Sequence, residues 1–206
     1  GGRKSLLEIL GSADIFIENQ PPHRMREWGL DYASLEESFP DLVVLSITPF
    51  GQTGPYADWK GVDLNAYHMT AAGMRYCGKP DSEPLEQGTF TADFFGGYVA
   101  AAWGLAAATG RNACGGGQHV DVSCAEVMAA LFAGAQNVGG YAQEGIFDTR
   151  TGIGMSLGAP ATILPCKDGH VWMMALEPGQ WNGLVEAMAA QGLEAGGKRP
   201  TPGRTA

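Results

Sequence analysis

The sequence predicts an α/β layered fold built on an open, mostly parallel sheet. Two observations carry this. Short apolar runs of strand length alternate with stretches of helical period, a βαβα rhythm. The run Leu42–Ile47 is continuous and β-branched, as a strand buried on both faces must be. In chain order, Lys4–Leu10 reads as the end of a helix and Asp14–Glu18 as a buried strand. A turn at Pro21-Pro22 leads to Met25–Trp28 and to a short helix at Tyr32–Ser38. After Leu42–Ile47 comes a Gly/Pro loop, Thr48–Gly61, then a helix at Asp63–Ala72 and a second loop, Gly73–Thr91. A long Ala-rich helix runs from Asp93. Gln118–Ser123 alternates as a strand, and Ala125–Val138 is helical.

Beyond Gly139 the pattern changes. Gly139–Pro160 is Gly-rich without a clean period, as in a linker or site loop. Ala161–Pro165, the turn Lys167–Gly169 and His170–Ala175 read as a hairpin, and Gln180–Ala190 as a helix before a Gly/Pro-rich tail. Residues 1–138 are therefore expected to be part of a large domain, 139–160 a linker, and 161–206 the start of a smaller α+β domain. A hairpin and one helix cannot bury a core alone. The chain is expected to start inside one domain and stop inside the next.

Composition narrows the function. Hydrophobic residues make up 45% and charged residues 17%, which excludes a disordered chain. Glycine, 31 of 206 residues, is about twice its usual share, with no collagen period. A net charge of −9 argues against nucleic-acid or anionic-membrane surfaces, so an anionic ligand would be held by a few placed cations and backbone amides. The four cysteines, Cys77, Cys114, Cys124 and Cys166, form no C-x-x-C, which favours reduced cytoplasmic thiols. No signal-peptide pattern opens the chain, and its longest apolar run is too short and too rich in Ala and Gly to span a membrane.

Several motifs fail on context. Gly154–Gly158 matches G-x-S-x-G but lacks a good preceding strand, Pro160 obstructs the helix, and Asp168 and His170 are too close for separate triad loops. Gly192–Lys198 resembles a P-loop but is followed by Arg199 where Ser or Thr belongs. Gly152, Gly154 and Gly158 miss the dinucleotide spacing. His23, His68, His119 and His170 are scattered, and no metal site is visible.

Asp93 remains. Directly before the most apolar helix it can be an N-cap. The same place suits an ionised carboxylate that attacks an acyl group and carries it as a mixed anhydride, with Gly96 and Gly97 leaving room for substrate. The residues alone leave both open.

Four blocks, Ile17–Tyr32, Leu42–Tyr67, Thr91–Gly110 and Gly116–Leu131, follow one another in the order and spacing of the class III CoA-transferase family, which the chain resembles over most of Ser12–Ala190. That family includes formyl-CoA transferase, carnitine CoA-transferase and α-methylacyl-CoA racemase. The resemblance implies a Rossmann-like open sheet with helices on both faces, plus the start of a smaller α+β domain. It also implies an acyl-CoA donor, a small carboxylic acid acceptor, an interlocked homodimer in the full-length form, and no cofactor besides the coenzyme A thioester. Family chains are considerably longer, so a fragment is expected, poorly stable and inactive alone.

Carried over by position, Asp93 is the nucleophile that forms an aspartyl anhydride and then an aspartyl-CoA thioester. Asn19, Gln20, Arg24 and Trp28 fall where the family touches coenzyme A. Lys60 matches a lysine that formyl-CoA transferase uses on coenzyme A, and Phe50, Gly51 and Gln52 lie in the family's Gly-rich turn. Departures from the pattern are Asn19–His23 for the usual N-F-R-P-G, Glu27 where arginine is common, and fewer glycines than the family's lid loop near Gly152–Gly158. Val62 replaces a histidine that the racemases use as a base; a valine moves no proton, so transfer is favoured over racemisation. The remaining alternative is an inactive truncated remnant.

Overall fold

A computed structural model describes residues 1–70, 73, 78–85, 88–131, 139–145, 150 and 161–192. The chain divides into two compact units, Gly1–Met74 with Pro84–Asp148, and Arg75–Glu83 with Thr149–Ala206.

The first unit is built on three parallel strands in the order β1-β2-β3: β1 (Ile15–Glu18), β2 (Val43–Thr48) and β3 (His119–Ser123). β2 is central and almost wholly buried, which is why its sequence is an unbroken apolar run. Its pleat sends alternate side chains to opposite layers. Val44 packs with Leu10, Met25, Leu30, Leu35 and Leu42, supplied by α1 (Gly2–Leu10), α2 (Pro22–Trp28), α3 (Tyr32–Leu35) and the segments between them. The next residue, Leu45, packs on the other face with Ala100, Val122 and Val127. Helices thus cover both faces of the sheet, as expected. α2 starts three residues earlier than the sequence reading, because Pro22 has its fixed φ suited to the first helical turn.

The second layer contains α4 (Asp63–His68), α5 (Thr91–Cys114) and α6 (Cys124–Met128). α5 lies on the sheet through a stripe of small residues, Ala92, Gly96, Ala100, Gly104 and Ala107, at helical spacing. A methyl added at Gly104 would sit 3.1 Å from the Leu45 side chain, so glycine there lets helix and sheet approach closely. Arg111, in the last turn, donates to the Asp14 carboxylate at 2.9 Å and the Asp41 carbonyl at 3.1 Å, anchoring α5 near the start of β1. After the α-helical turns of α6 the chain continues as π-helix through residues 129–131, and residues 132–138 of the predicted helix lie outside the described residues. Within the stretch read as a loop, Gly139–Glu144 forms a helix, α7. Its two opening glycines had argued otherwise.

In the second unit, β4 (Ala161–Cys166) and β5 (Gly169–Met174) pair antiparallel across a Lys167–Asp168 turn, and α8 (Pro178–Ala190) follows. The Gln180 side chain accepts the Leu176 and Glu177 amides at 3.0 and 3.2 Å, capping α8. The hairpin and the helix fall where the sequence placed them. The Gly152–Gly158 motifs, Cys77 and nearly all of Gly192–Arg199 lie outside the described residues. Among those described, no helix is long and apolar enough to cross a membrane, and no cluster of His, Cys, Asp and Glu could hold a metal.

Candidate functional site

All three parallel strands of the first unit release their chains at the same edge of the sheet. β1 runs into Asn19, β2 into Pro49 and Phe50, and β3 into Cys124. Open α/β sheets bind ligands at this carboxyl edge. Here it opens into a cleft of about 660 Å³, bounded by the strand ends, the start of α2, the Ala57–Val62 loop and the start of α5.

The loop after β2 is held in place locally. The Thr48 hydroxyl accepts the Gly51 amide at 3.0 Å, and Gly51 has φ +82°, a conformation that favours glycine. The backbone amide of Ala125 donates to Pro49 at 3.0 Å, tying this loop to α6. Farther along, Phe50, Tyr56 and Trp59 meet edge to face, with centroids 6.5 and 4.7 Å apart. Phe50 leaves no space for a side chain at Gly61, where an added methyl would come within 2.6 Å of its ring.

Of the predicted residues, Asn19, Arg24, Phe50, Lys60, Val62 and Asp93 line the cleft. Gln20, Trp28, Gly51, Gln52 and Gly96 do not line it. Trp28 is half-exposed on α2, with the Arg24 guanidinium 5.5 Å from its ring centroid. The exposed tryptophan at the cleft is Trp59, which the sequence reading passed over. Gly51 shapes its turn from behind, and the Gln52 amide donates to Asp121 at 3.0 Å. The two adjacent glycines of α5 have different surroundings. A methyl at Gly96 would come 2.6 Å from the Cys124 sulfur, so Gly96 serves helix packing; Gly97 has open space around it and lines the cleft. Of the two glycines, Gly97 is therefore the one that leaves room at the cleft.

Asp93 is not an N-cap. The helix starts at Thr91, which puts Asp93 third, with its side chain exposed at the cleft. One of the orphan amides at this end is that of Asp93 itself, and it donates to the Asp63 carboxylate at 2.8 Å across thirty residues of sequence. Asp63, only 4% exposed at the start of α4, is thus the group that caps this amide, and the Asp93 side chain lies at the cleft. Its electrostatics also differ from the helix-terminus expectation. Partial burial, and secondarily the Asp63 charge, push the Asp93 carboxyl above its ordinary value. The neighbouring Cys124 thiol is pushed up to about 11 by burial and by the Asp93 and Asp63 charges, and so stays protonated at neutral pH. Neither Asp63 nor Cys124 carried a sequence signal, because the fold alone brings them to Asp93.

Charge in the cleft is mixed. Arg26, beside it, is neutralised by Asp58 at 2.9 Å, whereas Arg24 and Lys60 make no ion pair among the described residues. Lys60 and Arg24 are the cations available to an anionic ligand. Val62 is 64% exposed at the cleft and offers no base.

The family model described as CoA-transferase family III matches residues 1–204. The succinate–glutarate CoA-transferase of Agrobacterium fabrum is 35% identical over 180 residues, covering 87% of this chain and 44% of that protein. The succinyl-CoA:mesaconate CoA-transferase of Haloarcula marismortui is 30% identical over 196 residues, 94% of this chain and 49% of the relative. A crystal structure of a CAIB/BAIF family protein from Brucella suis superposes with a TM-score of 0.70 at 32% identity, covering 91% of this chain and 49% of that one. The chain spans slightly less than half the length of these relatives. By its family match along nearly all its length, the chain belongs to the CoA-transferase family III.

Proposed function

We propose that this chain supplies the nucleophile-bearing part of an enzyme that moves coenzyme A from an acyl-CoA donor to a small carboxylic acid. The observation that carries this is the exposed Asp93 carboxylate at the cleft, with the adjoining backbone amide occupied by Asp63. An Asp93 oxygen attacks the thioester carbonyl, the C–S bond breaks, and coenzyme A leaves as the thiolate with the bonding pair. The thiolate then attacks the Asp93 carbonyl of the anhydride, releasing the donor acid and leaving an aspartyl-CoA thioester. An acceptor carboxylate repeats the sequence in reverse, and Asp93 is regenerated. No proton is transferred in any of these steps, which suits a site whose neighbouring thiol is protonated and whose Val62 is inert.

Arg24 and Lys60 would meet the phosphates of coenzyme A, and the exposed ring of Trp59 offers a face for its adenine. Asn19, at the end of β1, has the polar groups to bind the pantetheine amides. Relatives named for succinyl-CoA and for succinate, glutarate and mesaconate support a donor and acceptor that are short dicarboxylic acids. A homodimer and cytoplasmic location belong to the same proposal. The test is exchange of labelled coenzyme A between succinyl-CoA and glutarate by the complete natural polypeptide. Asp93→Asn should abolish it. Acceptor-independent α-proton exchange with solvent would instead favour a racemase.

A further inference from the structure

We infer that Asp63 is a positioning residue for the reaction: its buried carboxylate fixes the first turn of α5 through the Asp93 amide and sets a second negative charge beside the reacting carboxylate. This rests on Asp93 being the nucleophile. A cap alone does not require a carboxylate. α5 has no side-chain cap of its own at Phe90, and a neutral Ser, Thr or Asn would satisfy its amide equally well. At the start of α4 the Asn65 side chain accepts the Val62 amide at 3.0 Å, and the one side-chain hydrogen bond described for the Asp63 carboxylate goes to α5. What a carboxylate adds is charge, held at 4% exposure where water screens it little.

The charge acts in the right direction. Before reaction the Asp63 carboxylate, bonded to the Asp93 amide, acts on the Asp93 charge at the helix start. When Asp93 attacks, its negative charge passes with the C–S bonding pair to departing coenzyme A, and Asp93 becomes a neutral anhydride. The repulsion is relieved in the transition state as well as in the intermediate, and this lowers the barrier to acylation. The 2.8 Å bond from the Asp93 amide to the Asp63 carboxylate places the two residues side by side, and the Cys124 thiol beside them is raised by burial first and then by both charges. The cleft's other ionisable groups are Glu18 at the end of β1, His23 and Arg24 of α2, and Asp58 and Lys60 of the loop. Each remains unchanged in the variants below.

The experiment is single-turnover acylation by succinyl-CoA, followed across pH in the complete natural polypeptide. Asp63→Asn and Asp63→Ser keep a capping acceptor and remove the charge. Both should slow acylation about tenfold, the scale of one lost electrostatic contact, and move the acid limb of the pH profile to lower pH. Wild-type rate and an unmoved limb would reduce Asp63 to a cap and overturn the inference. If neither variant folds, Asp63→Glu decides, because it keeps the charge and displaces the capping oxygen by one methylene. An acid limb that stays at its wild-type position supports the charge role, and a limb that moves to lower pH overturns it. Failure of the underlying reading looks different: Asp93→Asn would then still exchange acyl groups.

Discussion

Gly96 and Gly97 are adjacent, and the structure predicts opposite outcomes for the same substitution. Gly96→Ala places a methyl 2.6 Å from the sulfur of Cys124, itself 2% exposed and without room to retreat. Carbon and sulfur need roughly 1 Å more than that, so α5 must lift from α6 or Cys124 must leave its rotamer, at about 1–3 kcal/mol. Alanine's better helix propensity returns about 1 kcal/mol, leaving a net loss of up to about 2 kcal/mol. Removing the sulfur should remove most of that loss, so Cys124→Ala in the Gly96→Ala background should show a favourable coupling of about 1 kcal/mol in a double-mutant cycle. Gly97→Ala meets nothing within 4 Å, and should stabilise by up to about 1 kcal/mol while crowding the cleft and raising the KM for acyl-CoA. Urea denaturation of the four variants against wild type is the assay. A Gly96→Ala variant as stable as Gly97→Ala, with no rescue by Cys124→Ala, would refute the packing argument.

Other consequences follow from the same geometry. Because burial and Asp63 raise the Asp93 carboxyl, ionised Asp93 costs stability at neutral pH and the cost fades as pH falls through the raised value. Asp93→Asn should therefore raise Tm at pH 7 while abolishing exchange, and the gain should vanish in acid; at an N-cap the same substitution would leave stability nearly unchanged, since Asn caps as well as Asp. Iodoacetamide at pH 8 should modify the exposed Cys114 and Cys166 well before Cys124, which is buried and protonated; equal rates would contradict that environment. Trp59→Ala should weaken acyl-CoA binding about tenfold, on the scale of ~1–3 kcal/mol for a stacked base, while Trp28→Ala should have a smaller effect. Gly117→Ala should destabilise by about 2–3 kcal/mol, because its methyl would collide with the Leu42 backbone, as thermal melts would show.

What the sequence made legible was what short-range physics determines. Leu42–Ile47 had to be a doubly buried strand, Pro21-Pro22 had to turn the chain, and Lys167–Gly169 had to close a hairpin. The Ala/Gly stripe of α5 was visible as a helix, but its phase on the sheet was not, so Gly96 and Gly97 could not be told apart. Asp93 was legible by its place beside the helix start and by the family blocks around it. Its partner was not, since Asp63 lies thirty residues away and meets it only after α4 and α5 pack together. The two tryptophans illustrate the same limit. Both sit in recognised blocks, yet of the two it is Trp59 that reaches the cleft, because Phe50 and Tyr56 hold its loop there.

The central claim, that Asp93 carries the acyl group, is tested most directly by mixing the complete natural polypeptide with succinyl-CoA, quenching in acid, and locating the added mass by peptide sequencing. The account predicts a labile adduct on the peptide containing Asp93, cleared by adding a carboxylic acid acceptor and absent in Asp93→Asn. An adduct on Cys124, or turnover with Asp93 never modified, would contradict it.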